Sequence, residues 1–320
     1  MSFLVKKIIK FFLRSYSKLK FEYKINIQKD EWFFIFPYGI GDFYLFLSLL
    51  TAFQKKNGVN SVSVGLVKPY QAQLLDIFEI KVKKIVFIDK KELQFCHCNN
   101  LNQGIPIILH PEYFLKESLY SLIGYNGLTL GDVYKIMLTL PIKTRYNKPI
   151  INQIVRNAAF EKFNKYNLTD CKNVLLAPHA NSFDEDIIPF DFWEILNYEL
   201  QALGYKVLIN SSNKKYVDLK NVIAVDFSLS QAIPFVEMCK IFVGVRSGFC
   251  DLISSSKSQK YIIYPKIDWY AGTFLSGSSL ISMGLTSDEI IEFEIDSDSI
   301  RQIINSIIHE IVKKNKYEGR

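Results

Sequence analysis

The chain alternates short apolar runs with longer runs of helical period, and small-residue turns join several of them. Such alternation builds a parallel sheet with helices on its faces. Because the order occurs in both halves, we predict an α/β protein with two Rossmann-like, doubly wound parallel-sheet domains facing a cleft. The predicted strands are residues 32–36, 62–67, 84–88, 105–109, 174–177, 206–209, 222–225, 241–244 and 259–264, and the predicted helices are residues 43–56, 70–78, 190–203, 231–240 and 300–314.

A polar segment divides the two halves. Residues 142–172 are rich in Asn and Lys and contain Pro149, and a length of 320 residues favours two domains. We therefore place the boundary in this segment. The predicted units are a basic helix at 1–24, an N-terminal domain at 25–150, a C-terminal domain at 151–295, and a helix with a basic tail at 296–320.

The first 24 residues carry most of the net charge. They contain seven Lys or Arg against Glu22 alone, so +6 of the total +7 lies there. The nearly neutral remainder argues against a nucleic-acid-binding surface. At about 100° per residue, five basic residues fall on one arc of a helix and apolar residues on the other. This pattern favours attachment to an anionic membrane surface, and the alternative is a terminal helix docked on the body.

Two turns join an apolar run to a helical run and place an ionisable side chain at the turn. One spans Pro37–Asp42 and the other spans Val243–Asp251. In α/β proteins ligands bind at the carboxyl ends of parallel strands, and a helix N-terminus there attracts anions. One such turn in each half predicts a binding cleft between the two domains.

The first turn contains Gly39, Gly41 and Asp42. It lacks the third glycine of a dinucleotide fingerprint, because Tyr44 stands where a small residue is needed. Redox use of NAD is therefore disfavoured. The carboxylate of Asp42 has two interpretations: it caps the helix and offsets its dipole, or it faces the cleft as a general base.

The second turn presents Arg246 after a buried strand. A guanidinium at the carboxyl edge of the sheet offers two parallel donors for phosphate oxygens. The helix that starts near Gly248 adds backbone donors. The alternative is that Arg246 pairs internally, either with Asp251 or with Asp226.

Polar loops follow two further strands of the second half. His179, Asn181 and Ser182 follow the first strand, and Ser211 follows the next. Their amide and hydroxyl groups suit a nucleotide or a phosphate, and the neighbouring strand ends should bring them close to Arg246.

Metal binding is disfavoured. Cys96-His97-Cys98 has no second ligand pair of usable spacing, and Asp184-Glu185-Asp186 lies in a loop rather than at the end of an apolar strand. Five cysteines without a framework spacing favour a reducing cytoplasm.

These motifs, in this order, resemble the heptosyltransferase-like family of bacterial glycosyltransferases, which have the GT-B fold. The similarity covers roughly residues 32–265. It rests on Gly39–Asp42, on Leu175–Ala180 leading to the helix at Pro189–Leu196, and on Phe242–Gly248. The family's Asp-Ser-Gly-Pro turn is replaced here by a turn that begins with Arg246.

The resemblance implies a glycosyltransferase of bacterial surface polysaccharide or lipooligosaccharide synthesis at the cytoplasmic membrane face. The N-terminal half would bind a glycan or lipid-linked acceptor and the C-terminal half a nucleotide-sugar donor, without cofactor or metal. Alternatives are a nucleotide-sugar epimerase or hydrolase of the same fold, or a non-catalytic nucleotide- or glycan-binding protein. The resemblance implies Asp42 as the catalytic base. From the residues themselves we predict Arg246 as the second catalytic residue and Gly39 and Gly41 as the acceptor-side turn. The predicted donor-site residues are His179, Asn181, Ser182, Ser211, Arg246, Ser247, Gly248 and Asp251.

Overall fold

The fold is taken from a computed structural model. It describes residues 3–78, 80–96, 101–113, 123–124, 127–169, 172–180, 183–184, 187–211, 213–286, 290–296 and 298–318.

The first half is built on a four-stranded parallel sheet. Its strand order is β3-β2-β1-β4, so the strand that enters last lies beside the first one. The predicted helix at 43–56 is confirmed but begins earlier, and the predicted helix at 70–78 is a 3₁₀ turn followed by a short α-helix. The elements are α1 (Phe3–Ile25), β1 (Phe33–Phe36), α2 (Ile40–Asn57), β2 (Ser63–Leu66), a 3₁₀ helix (Pro69–Leu74), α3 (Leu75–Phe78), β3 (Ile85–Phe87), a 3₁₀ helix (Lys90–Phe95), β4 (Pro106–Ile108) and α4 (Leu130–Met137).

The second half is built on a six-stranded parallel sheet of order β12-β9-β8-β5-β6-β7. The five predicted strands of this half are confirmed, and β12 is an additional one. The elements are α5 (Gln153–Lys165), β5 (Asn173–Ala177), α6 (Phe190–Ala202), β6 (Lys206–Ile209), α7 (Lys214–Val217), β7 (Ile223–Ala224), a 3₁₀ helix (Leu229–Gln231), α8 (Ala232–Cys239), β8 (Ile241–Val245), α9 (Gly248–Ile253), β9 (Gln259–Pro265), β10 (Asp268–Trp269), β11 (Gly272–Thr273), α10 (Phe274–Ser278), α11 (Leu280–Met283), β12 (Ile290–Ile295) and α12 (Ile300–Glu318).

Helices bury the central strands of both sheets, as the apolar runs require. Every residue of β1, β2, β5, β8 and β9 is buried, which is typical of parallel strands covered on both faces. One hydrophobic cluster runs from the helices of the first sheet to those on one face of the second. The two halves are therefore packed together through side chains as well as joined by the chain.

The polar segment at 142–172 contains the helix α5. This helix packs on the second half, because Phe163 lies 5.3 Å from the Phe235 ring and Arg156 pairs with Glu237 at 3.0 Å. Asn147 instead donates its backbone N–H to the Ser48 carbonyl of the first half. These contacts are compatible with a division near residue 150, which stays a prediction.

Candidate active site

The two predicted turns lie against each other. Gly41 is in the first turn of α2 and Gly248 is the first residue of α9. A Cβ added to Gly248 would lie 2.5 Å from the Gly41 nitrogen, and a Cβ added to Gly41 would lie 2.7 Å from Asp251 Oδ2. Only glycine permits this approach, because a methyl group at either position would overlap the backbone or carboxylate opposite. The glycines therefore let the N-terminal ends of α2 and α9 meet.

Tyr44 reinforces the contact between the two helices. It is buried, and its hydroxyl lies 3.4 Å from Ser254 Oγ, just after α9. Burial raises its pKa, so the phenol stays protonated. The bulky residue that excluded a dinucleotide fingerprint is thus a packing residue between the halves.

Arg246 is buried and internally paired. Its Nη2 lies 2.7 Å from Asp251 Oδ1 and its Nη1 lies 3.1 Å from Asp251 Oδ2, and the residue is 3% exposed. Two further donors, on Nε and Nη1, bind the Ser278 and Ser247 carbonyls at 2.9 and 2.6 Å. Burial alone would lower the pKa of Arg246, but the Asp251 carboxylate raises it above its usual value.

This arrangement corrects the expectation that Arg246 emerges to bind a donor phosphate. The alternative, pairing with Asp251, is the one found. The two residues stand five apart at the start of α9, so the fork that could hold a phosphate holds a carboxylate of its own turn. Asp251 is likewise occupied and buried rather than open to a donor. Together they fix the second turn beneath Gly41.

Asp42 lies at the edge of this contact and remains partly accessible. Its side chain is 14% exposed, and its Oδ1 accepts a 2.6 Å hydrogen bond from the Tyr134 hydroxyl of α4. Burial, followed by the charge of Asp42, raises the pKa of Tyr134 well above its usual value, so the phenol is a permanent donor. At the start of α2 the N-cap residue is Gly39, with no side-chain cap hydrogen bond in this described segment. The hydrogen bond that the helix-capping interpretation of Asp42 requires is therefore not observed in this segment.

The charged group of the second half that interacts with Asp42 is the carboxylate of Asp251, not the guanidinium of Arg246. The charge of Asp42 contributes to the raised pKa of Asp251, whose main cause is burial and which Arg246 opposes. The predicted juxtaposition of Asp42 with Arg246 is thus mediated by Asp251.

The predicted donor-site residues end three neighbouring strands. The order β8-β5-β6 places His179, Ser211 and Ser247 at the carboxyl edge of the second sheet, as the sequence predicted. All three are partly exposed. The Ser211 hydroxyl accepts a hydrogen bond from the Asn213 backbone at 3.0 Å. Asn181 and Ser182 lie outside the described residues, as does Asp186 of the acidic loop.

Two residues beside Asp42 were not predicted. Tyr134 comes from α4, and His110 follows β4, with its Nε2 3.8 Å from Asp42 Oδ1. His110 follows a predicted strand and precedes Pro111. This position at a strand end is the feature of the sequence that could have indicated a site residue. Within the described ranges, no group of three or more His, Cys, Asp and Glu side chains is arranged to hold a metal ion.

Comparison with known proteins gives structural matches only. No family model matches the sequence, and no curated protein matches it. E. coli ADP-heptose LPS heptosyltransferase II superposes with a TM-score of 0.62 at 13% identity, covering 91% of this chain and 100% of that one. The family 9 glycosyl transferase of Veillonella parvula gives 0.54 at 13% identity, with 88% and 91% covered. E. coli heptosyltransferase WaaC with ADP gives 0.54 at 11% identity, with 88% and 99% covered.

These matches define the fold. Two parallel-sheet units, joined where the N-terminal ends of α2 and α9 meet, form the GT-B architecture of the bacterial heptosyltransferases. The resemblance inferred from the sequence motifs is confirmed at this level.

Proposed function

We propose that this protein is a glycosyltransferase that moves a sugar from a nucleotide-sugar donor to a glycan or lipid-linked acceptor in bacterial surface polysaccharide or lipooligosaccharide synthesis. The observation that carries this proposal is the Asp42 carboxylate, which is partly exposed where the two turns meet and accepts a hydrogen bond from Tyr134 on Oδ1. The GT-B fold of the solved heptosyltransferases supports the assignment.

In this proposal Asp42 accepts the proton of the acceptor hydroxyl as that oxygen attacks the donor sugar. The nucleoside diphosphate leaves from the carboxyl edge of the second sheet, where His179, Ser211 and Ser247 supply polar groups, with Asn181 and Ser182 assigned there from sequence. Arg246 and Asp251 hold the turn that meets α2 and do not touch the donor.

We expect donor consumption to depend on an acceptor. Purified protein incubated with UDP-, GDP-, ADP- or CMP-sugars should release free nucleotide only when a glycolipid extract of the producing cells is added. An epimerase or hydrolase would instead consume donor alone. EDTA should leave the rate unchanged, because the described residues include no group of three or more His, Cys, Asp and Glu side chains arranged to hold a metal ion. Loss of activity in EDTA with recovery in Mg²⁺ or Mn²⁺ would contradict the metal-independent form.

We also propose that α1 lies on an anionic membrane surface. The end of the helix is anchored on the first sheet through buried Phe21 and Ile25, and these are the buried residues among the side chains of α1 that the structure describes. At about 3.6 residues per turn these anchors fall on the basic arc, so the apolar arc faces away from the body. Within the described residues, no helix is long and apolar enough to span a membrane. The exposed apolar arc comprises Ile9, Phe11, Phe12, Leu13, Tyr16, Leu19 and Tyr23, which are 43–89% exposed.

Vesicle flotation tests this attachment. Phe12→Glu with Leu19→Glu should abolish binding to vesicles that contain anionic lipid, because it places charge where apolar side chains enter the interface. The control is Ile154→Glu, which introduces one such charge outside α1, at an 80% exposed apolar residue of α5. Equal flotation of the double variant and wild type would rule out α1 as the membrane contact.

A further inference from the structure

His110 occupies a position beside the proposed base that the function above does not use. It follows β4, and because β4 pairs with β1, the imidazole reaches the turn that carries Asp42. Its side chain is 12% exposed, and its Nε2 lies 3.8 Å from Asp42 Oδ1.

The other ring nitrogen determines which tautomer is present. His110 Nδ1 accepts a hydrogen bond from the backbone N–H of Glu112 at 3.2 Å. A backbone amide can only donate, so Nδ1 carries a lone pair and the neutral ring carries its proton on Nε2. The N–H of the imidazole is therefore on the nitrogen nearest Asp42.

The orientation of the ring is held by aromatic packing. Tyr38 meets it edge to face, with centroids 4.6 Å apart, and Tyr113 meets it at 6.1 Å. Tyr38 is itself fixed, since its hydroxyl donates to Glu112 Oε2 at 3.0 Å. The loop that orients Nδ1 thus also holds the ring plane.

We infer that His110 is a positioning residue for Asp42, an inference that rests on the proposed function. Tyr134 and His110 both approach Oδ1, one as a 2.6 Å hydrogen bond and the other as an N–H at 3.8 Å. Because both groups lie beside the same oxygen, they orient the carboxylate, and Oδ2 has no donor among the described residues. Oδ2 is then the oxygen that receives the acceptor proton.

Two amide variants of His110 test this role. The side-chain N–H₂ of Gln reaches the Nε2 position, whereas that of Asn reaches only the Nδ1 position. His110→Gln should keep a kcat close to that of wild type. His110→Asn should lower kcat by about 10- to 100-fold with KM unchanged, because the carboxylate loses its orientation. Equal kcat values for His110→Asn and wild type would overturn the inference.

A spectroscopic measurement on the wild-type protein tests the tautomer of His110 without any substrate. ¹⁵N-histidine NMR of the wild-type protein, at a pH where imidazoles are neutral, should show His110 as the Nε2–H tautomer, with its signals assigned by their absence in His110→Gln. An Nδ1–H tautomer would overturn the inference. The two proposals can be rejected separately. If the wild-type protein transfers no sugar, the glycosyltransferase proposal is rejected. If the wild-type protein is active and His110→Asn has the same kcat, only the role of His110 is rejected.

Discussion

Asp42→Asn is expected to lower the kcat of sugar transfer by about 10²- to 10⁴-fold, the range for loss of a general base. The amide keeps the shape of the carboxylate and can still accept from Tyr134, but it cannot take a proton from the acceptor hydroxyl. Nucleotide release in the presence of acceptor measures this loss. Binding of the donor should persist, because the proposed donor residues lie on the second sheet.

The control for this variant is Asp218→Asn, which removes an exposed carboxylate at the end of α7. It should transfer sugar at the wild-type rate. A lowered melting temperature of Asp42→Asn combined with a wild-type kcat would instead make Asp42 a structural residue of α2.

Removing one member of the Arg246–Asp251 pair is expected to lower the free energy of unfolding by about 3–5 kcal/mol. Asp251→Leu leaves the buried guanidinium of Arg246 without its carboxylate partner. Arg246→Met leaves the buried carboxylate of Asp251 without its guanidinium partner. The double variant should lose less than either single variant, because no charge is then left uncompensated. Urea denaturation of the four proteins measures the coupling.

An exposed ion pair provides the comparison. Lys266 and Asp296 are 3.1 Å apart but 60% and 40% exposed, so solvent screens them, and Lys266→Met should leave the free energy of unfolding nearly unchanged. If Arg246→Met were as stable as wild type but failed to bind any nucleotide-sugar, the internal pairing would be wrong and the phosphate interpretation of Arg246 correct.

The architecture was predictable because local patterns determine it. Buried parallel strands are continuous apolar runs, so Phe33–Phe36 and Ile241–Val245 stand out in the sequence. Helix ends were less predictable. α2 begins at Ile40, three residues before the predicted start, because Gly41 lies inside the helix. A glycine at this position predicts a loop in the sequence. In the structure, glycine is required at position 41 because the backbone of Gly248 approaches it closely.

The composition of the candidate site was predictable only in part. Asp42 stands in a recognisable turn. Its neighbours His110 and Tyr134 are 68 and 92 residues away in sequence. The pairing of β4 with β1 brings His110 to Asp42, and Tyr134 comes from the helix α4. The partner of Arg246 could not be predicted for a different reason. A guanidinium at a strand end looks the same in sequence whether it binds a phosphate or the carboxylate five residues later, and burial decides between them.

The proposed sugar transfer requires a nucleotide-sugar to bind at the second sheet. Thermal-shift measurement of the wild-type protein against UDP-, GDP-, ADP- and CMP-sugars tests this most directly. One nucleotide class should raise the melting temperature, since ligand at 100 times its Kd stabilises the folded state by about 2.7 kcal/mol. Asp42→Asn should show the same rise. If none of the four classes raises the melting temperature of the wild-type protein, the proposed sugar transfer is contradicted.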